Sequence, residues 1–171
     1  MSGDRTLRAE KFAIAGRDAK KLTAVKEKLE AIEPRAKDLQ ILVGDAANED
    51  FLASMLQSTR VVLTYVGPYT KYGLPLARGC VKYETDYCDI TGEANYQKQM
   101  VDELHDEAKA KGVTLITSCG YDSIPFDIGT YGLIKHLRSK QREGGVITVQ
   151  SISGSGKGGF SGGKACLKDD Q

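Results

Sequence analysis

Apolar positions in this chain follow two rhythms. Short, almost wholly apolar runs closed by glycine alternate with longer stretches where apolar residues return every third or fourth place. The first rhythm predicts buried strands and the second amphipathic helices. KFAIAG (11–16) is the first strand; Asp18 then caps DAKKLTAVKEKLEAIE, whose Leu22, Val25, Leu29 and Ile32 share one face, and Pro34 helps to end it. LQILVGD (39–45) is the next strand, and Asn48 caps the helix NEDFLASMLQS. RVVLTYVG (60–67) is the most β-branched run and closes on a Gly-Pro turn.

The same alternation continues to the end. A helix is expected from about Tyr72 to Tyr83, a strand at TDYCDI, and a helix over 94–112. In that helix Tyr96, Met100, Leu104 and Ala108 form the core face, Glu107 pairs with Lys111, and Gly112 is the stop. VTLITSC then predicts a strand, PFDIGTYGLIKHLRSK a helix with Pro125 at its start, and GVITVQSIS a final strand. Strands joined by helical crossovers run parallel, so the fold class is α/β, an open Rossmann-like sheet with helices on both faces. Ligands on such sheets bind at the carboxyl ends of strands. The candidate segments are therefore AGRD (15–18), VGDA (43–46), YVGPY (65–69), DITGE (89–93) and SCGYDSIP (118–125).

Composition narrows the chemistry. The chain has 171 residues, 40% hydrophobic and 27% charged, with net charge +1. That suits one soluble globular domain and offers no field for nucleic acid or an anionic membrane. Cys80, Cys88, Cys119 and Cys166 form no C-x-x-C pair, and His105 and His136 are the only histidines, which argues against zinc and for a reduced, intracellular protein. MSGDRTLRAEK lacks the apolar core of a signal peptide, and no apolar run approaches the roughly 20 residues of a membrane span.

The tail GSGKGGFSGGKACLKDDQ imitates two phosphate motifs. Gly154, Gly156 and Gly159 fit G-x-G-x-x-G, but no helix of useful length follows to aim its dipole at a pyrophosphate. Gly158, Gly163 and Lys164 fit a P-loop, but Ala165 stands where a magnesium-holding hydroxyl is needed. A glycine-rich loop is the better reading of both.

Three ordered motifs carry a family resemblance: Gly67-Pro68-Tyr69 with Tyr72-Gly73, the segment from Tyr87 to Glu93 (Y-x-D-x-x-G-E), and CGYDSIPFD (119–127). With FAIAGR and Gly44-Asp45, they resemble the saccharopine dehydrogenase-like oxidoreductases, which include the trans-acting enoyl reductases. GYDSIP is closer to the lipid-associated branch than to saccharopine dehydrogenase itself. The resemblance implies an incomplete NAD(P)-binding domain over 1–143 and the start of a substrate or dimerisation domain over 144–171, where Ser161-Gly162-Gly163 matches the family and Lys164 departs from it. It also implies that KFAIAG is the second strand of the fold, the first strand and its glycine-rich turn being missing before Phe12. In the strand order 3-2-1-4-5-6 the first strand is central, so its loss would set residues 12–16 and 60–67 about 10 Å apart. The edges would then stay unpaired, close up, or recruit another chain as a homo-oligomer.

The resemblance implies these cofactor contacts. Gly16 and Arg17 end a strand where an acidic residue suits NAD and an arginine suits the 2′-phosphate of NADP, so NADP is favoured over NAD; a surface arginine beside a helix cap is the bland alternative. Asp45 and Ala46 would lie near the adenine, with an ordinary turn aspartate nearly as good an account. Val66, Gly67 and Pro68 would admit the ribose and nicotinamide against bare backbone. Tyr69, Tyr72, Asp89, Glu93, Tyr121 and Asp122 are the polar groups available, but Asp89 and Asp122 equally suit loop bracing, and no catalytic residue is assigned. His105 and His136 read as solvated, and Cys119 as a buried structural thiol. The expected function is hydride transfer between a nicotinamide dinucleotide and a small or lipid-linked substrate, weak or lost in this chain. The location is cytoplasmic or at the surface of a lipid droplet or membrane. The competing expectation is an inactive interaction module.

Overall fold

The computed structural model describes residues 11–140 and 148–152. The chain divides into two compact units, Met1–Met55 and Leu56–Gln171. In both, the strands are parallel and helices form the connections. The result is an α/β fold consistent with an open Rossmann-like topology.

The first unit contains β1 (Ala13–Gly16), α1 (Ala19–Ile32), a 3-10 turn (Pro34–Asp38), β2 (Gln40–Val43) and most of α2 (Glu49–Gln57). β1 and β2 pair in register from Ala13 with Gln40 to Gly16 with Val43. The ladder runs one step further, where the Gly44 N–H donates to the Gly16 carbonyl at 3.0 Å. Both predicted caps form: Asp18 accepts from the Lys21 amide at 3.1 Å and Asn48 from the Phe51 amide at 2.9 Å. The predicted apolar face of α1 is only half realised. Leu22 and Leu29 are half-buried, whereas Val25 and Ile32 are exposed. Two strands about 4.8 Å apart make a floor narrower than a helix about 10 Å across.

The second unit orders its strands β3 (Val61–Thr64), β4 (Asp86–Asp89) and β5 (Leu115–Ile116). β3 and β1 are thus both edge strands of their ladders. The core lies between β4, α3 (Tyr69–Lys82) and α4 (Ala94–Lys111). It contains Leu56, Leu76, Ala77, Cys80, Val81, Tyr87 and the four predicted α4 residues Tyr96, Met100, Leu104 and Ala108. Alternation along β4 sends Tyr87 and Asp89 inward and leaves Cys88 half-exposed. Gly73 lets α3 and α4 approach, because a side chain there would overlap the Tyr96 ring. Gly112 ends α4 in the left-handed region at φ 70°, and Glu107 and Lys111 pair at 2.8 Å.

Three sequence expectations are corrected. α3 begins at Tyr69 rather than about Tyr72, because a distant carboxylate caps it. The strand expected across VTLITSC is limited to Leu115–Ile116, since Ser118 turns into the left-handed region at φ 60° and ends the ladder. No strand forms over 148–152, the described part of GVITVQSIS, which has no ladder partner among the described residues. α5 (Ile124–Lys140) forms as expected, with Pro125 in its first turn, but buries no residue completely. The expectations for residues 1–10 and for the glycine-rich tail from 153 onward lie outside the described residues.

Candidate dinucleotide-binding site

In the first unit the candidate residues gather at the carboxyl ends of β1 and β2. Arg17 follows β1 directly, with its side chain 76% exposed, and its Nη1 stands 3.7 Å from Asp45 Oδ2. An exposed pair at that separation contributes about 0–1 kcal/mol, so the guanidinium is cheaply released to an anion. The other Asp45 oxygen accepts from the Ala47 amide at 2.9 Å, and its carbonyl accepts from Asn48. Asp45 is therefore a turn-forming aspartate as well as the partner of Arg17. Ala46 sits half-buried in the same turn. At Gly16 the nearest atom to an added Cβ is Leu22 at 3.6 Å, an ordinary contact.

In the second unit, the turn after β3 is tied at both ends. Thr64 Oγ1 accepts from the Val66 amide at 3.2 Å, and the buried Tyr69 hydroxyl donates to the Thr64 carbonyl at 3.0 Å. Across a sequence gap, Glu93 holds the beginning of α3. Its Oε1 accepts from the Tyr69 amide and its Oε2 from the Thr70 amide, both at 2.8 Å, and Oε2 also accepts from the Thr70 hydroxyl at 2.5 Å. Partial burial pushes the Glu93 carboxyl up, but these donors prevail and leave its pKa below the ordinary value. The Gly67-Pro68 bond is cis. Tyr65 and Val66 are exposed, and an added Cβ at Gly67 would meet nothing closer than the Tyr69 ring at 3.6 Å. Packing alone does not demand glycine at that position. The bare backbone there fits the close approach of a flat ligand group.

Asp89 is the internal hub. It is 0% exposed and accepts from the Tyr87 hydroxyl at 2.7 Å, the Thr91 amide at 2.9 Å and the Ser118 amide at 3.1 Å. Tyr87 also meets the Tyr96 hydroxyl at 3.0 Å. Burial drives the Tyr96 pKa up to about 12 and that of Tyr87 further still, so both remain neutral hydroxyls at any ordinary pH. The Ser118 hydroxyl donates to the Thr91 carbonyl at 2.8 Å and Gln97 reaches Ser118 at 2.5 Å, joining the ends of β4 and β5. Of the two roles open to Asp89, bracing is the one its three donors support.

The other polar candidates lie apart from this network. Tyr72 and Tyr121 are largely exposed, as are His105 and His136. Cys119 corrects the expectation of a buried thiol. It is half-exposed, though its amide still donates to the Asp89 carbonyl at 2.7 Å, while Cys80 is the fully buried thiol, its pKa raised by burial to about 12. The bonds from Thr64, Thr70, Thr91 and Ser118 leave no trace in the sequence pattern. Each joins segments far apart in sequence or within an irregular turn, where periodicity carries no signal.

Parallel α/β ladders, in each unit, with irregular, polar and glycine-bearing turns at the carboxyl ends of their strands are the architecture of dinucleotide-binding domains. Residues 4–116 match the family described as saccharopine dehydrogenase NADP binding domain, and the chain belongs to that family. The family supports NADP over NAD as the dinucleotide. A trans-acting enoyl reductase of Mycobacterium ulcerans is 40% identical over 136 residues, covering 80% of this chain and 31% of its own. A Mycobacterium tuberculosis protein given the same designation provisionally is 38% identical over 153 residues, 90% of this chain and 36% of its own. The chain thus spans about a third of the length of these relatives. Apo saccharopine dehydrogenase (L-Glu forming) from Saccharomyces cerevisiae shares the fold, with a TM-score of 0.56 at 15% identity over 74% of this chain and 25% of that one. Among the described residues no helix is long and apolar enough to cross a membrane.

Proposed function

We propose that this chain binds NADP as the dinucleotide-holding part of an oxidoreductase, with hydride transfer to or from a small or lipid-linked substrate as the reaction. The observation that carries the reading is Arg17, an exposed guanidinium at the carboxyl end of β1 in a domain of an NADP-binding family. It would hold the 2′-phosphate through charge-assisted hydrogen bonds, exchanging a loose contact with Asp45 for a doubly charged partner. Gly16, Asp45 and Ala46 would flank the adenosine portion. Val66, Gly67 and Pro68 would take the nicotinamide and its ribose, where the Glu93 carboxylate already fills the start of α3 and discourages a phosphate. Bound nicotinamide supplies the hydride chemistry, while the chain binds and orients. The trans-acting enoyl reductases among its relatives point to a carbon–carbon double bond as the reducible group. In this reading residues 1–143 form the binding domain and 144–171 open a substrate domain, in the cytoplasm or at the surface of a lipid droplet or membrane.

The test is titration of the full chain with NADPH and NADH, followed by nicotinamide fluorescence. NADPH should bind saturably and more tightly than NADH. Arg17→Ala should weaken NADPH about 10–100-fold, the worth of a charge-assisted contact, and leave NADH nearly unchanged. An unaltered NADPH-to-NADH ratio in that variant, or no saturable binding by the wild type, refutes the proposal.

A further inference from the structure

Among the described residues, Glu93 stands out as a charged group whose hydrogen bonds all go to the start of another element. It precedes α4, yet its carboxylate is spent on α3: both oxygens accept from the first two amides of that helix, and one also takes the Thr70 hydroxyl. We infer that Glu93 is a positioning residue for the nicotinamide–ribose end of the dinucleotide, acting through the turn formed by residues 65–68. This rests on the assignment of that turn in the proposed function.

The argument is geometric. Thr64, the last residue of β3, anchors the front of the turn through Val66 and receives the Tyr69 hydroxyl from behind it. Glu93 fixes the backbone of Tyr69 itself, the residue immediately after Pro68. The exposed backbone around Gly67 is therefore suspended between a strand end and a helix start whose position is set from outside both. Release of the carboxylate would leave the Tyr69 and Thr70 amides unpaired and let α3 begin later, at the position its own sequence favours. The turn would persist, held by Thr64, but with its far end loose. A bare α3 start would also attract anions, whereas the carboxylate occupies that place and leaves the turn to an uncharged group. Glu93 thus both sets the shape of the turn and selects what it accepts.

The experiment compares two ligands on the full chain: NADPH, and adenosine 2′,5′-bisphosphate, which lacks the nicotinamide and its ribose. Glu93→Gln keeps one acceptor oxygen but sets an amide donor against a backbone N–H. It should weaken NADPH about tenfold, the effect of one lost charged acceptor, and leave the fragment unchanged. Thr70→Val, a milder variant that keeps the carboxylate, should lower NADPH affinity about threefold in the same selective way. Equal losses for both ligands, or no loss for either, overturn the inference and leave dinucleotide binding standing. A wild-type chain that binds neither ligand overturns both readings.

Discussion

Replacing Asp89 tests whether its network braces the sheet ends. The two backbone donors share one carboxyl oxygen, Oδ1, while Oδ2 receives only the Tyr87 hydroxyl. Asparagine can therefore keep both amides satisfied by its carbonyl. Its amino group then meets Tyr87, whose proton can turn towards Tyr96 at 3.0 Å. Asp89→Asn should cost about 0.5–1.5 kcal/mol, the difference between a charged and a neutral acceptor. Alanine offers no such repair. Asp89→Ala leaves the buried Thr91 amide and the half-buried Ser118 amide without their acceptor, at about 1–3 kcal/mol for the first and about 1–2 kcal/mol for the second, and so about 2–5 kcal/mol in total. Against a typical stability of about 5–15 kcal/mol, that is a large fraction of the whole.

The chain has no tryptophan, so urea unfolding followed by far-ultraviolet circular dichroism is the suitable assay. Tyr87→Phe is the control; it leaves both backbone amides on Asp89, removes the third bond together with the contact to the Tyr96 hydroxyl, and should cost about 1–3 kcal/mol. The bracing argument fails if Asp89→Asn is as damaging as Asp89→Ala, or if Asp89→Ala lies within about 1 kcal/mol of wild type. The first outcome would mean that charge, not the accepting geometry, is what the site uses.

Two further predictions concern the turn and the core. Gly67→Ala should leave the unfolding midpoint within about 0.5 kcal/mol of wild type, because the added Cβ meets only the Tyr69 ring at 3.6 Å, yet weaken NADPH binding; unchanged affinity would remove the close-approach argument. Alkali should unfold the chain early. Cys80 and Tyr96 have pKa values raised by burial from 9.0 and 10.0 to about 12, and Tyr87 is raised too, so the unfolded chain loses these protons first and stability falls as pH climbs from 9 towards 12. The loss should reach about 3–5 kcal/mol between pH 9 and 11, read from urea midpoints, and a flat profile would contradict the burial of these groups.

What could be read from the sequence is what depends on neighbours within about one helical turn. Asp18, Asn48 and Gly112 cap or stop helices through atoms three or four residues away, so type and spacing were enough. The Tyr96–Met100–Leu104–Ala108 stripe is likewise a local pattern, and its burial follows as soon as any partner surface exists. The start of α3 is different in kind. Pro68 offers no side-chain cap, and the sequence from Tyr69 onward gives no reason to begin three residues earlier than about Tyr72. The reason is Glu93, more than twenty residues downstream, which reads by itself as one more polar residue before a helix.

The same division explains the candidate site. Motif residues Gly67, Tyr69, Asp89 and Glu93 were identified as a resemblance, but their spacing could not reveal how they cooperate. The structure supplies a cause for that spacing. Tyr69 needs a carboxylate near its amide, and β4 must pass beside β3 to bring Glu93 within 2.8 Å. Asp89, four residues earlier on the same segment, fixes that passage by holding Thr91 and Ser118. One carboxyl group anchors the strand end, and the next along the chain uses that anchorage to fix a helix. The polar residues of the Y-x-D-x-x-G-E segment thus need no direct contact with a ligand to matter for binding one. They set the backbone of the turn proposed for the nicotinamide end, and on that proposal a chain that lost Asp89 should lose stability and one that lost Glu93 should lose affinity.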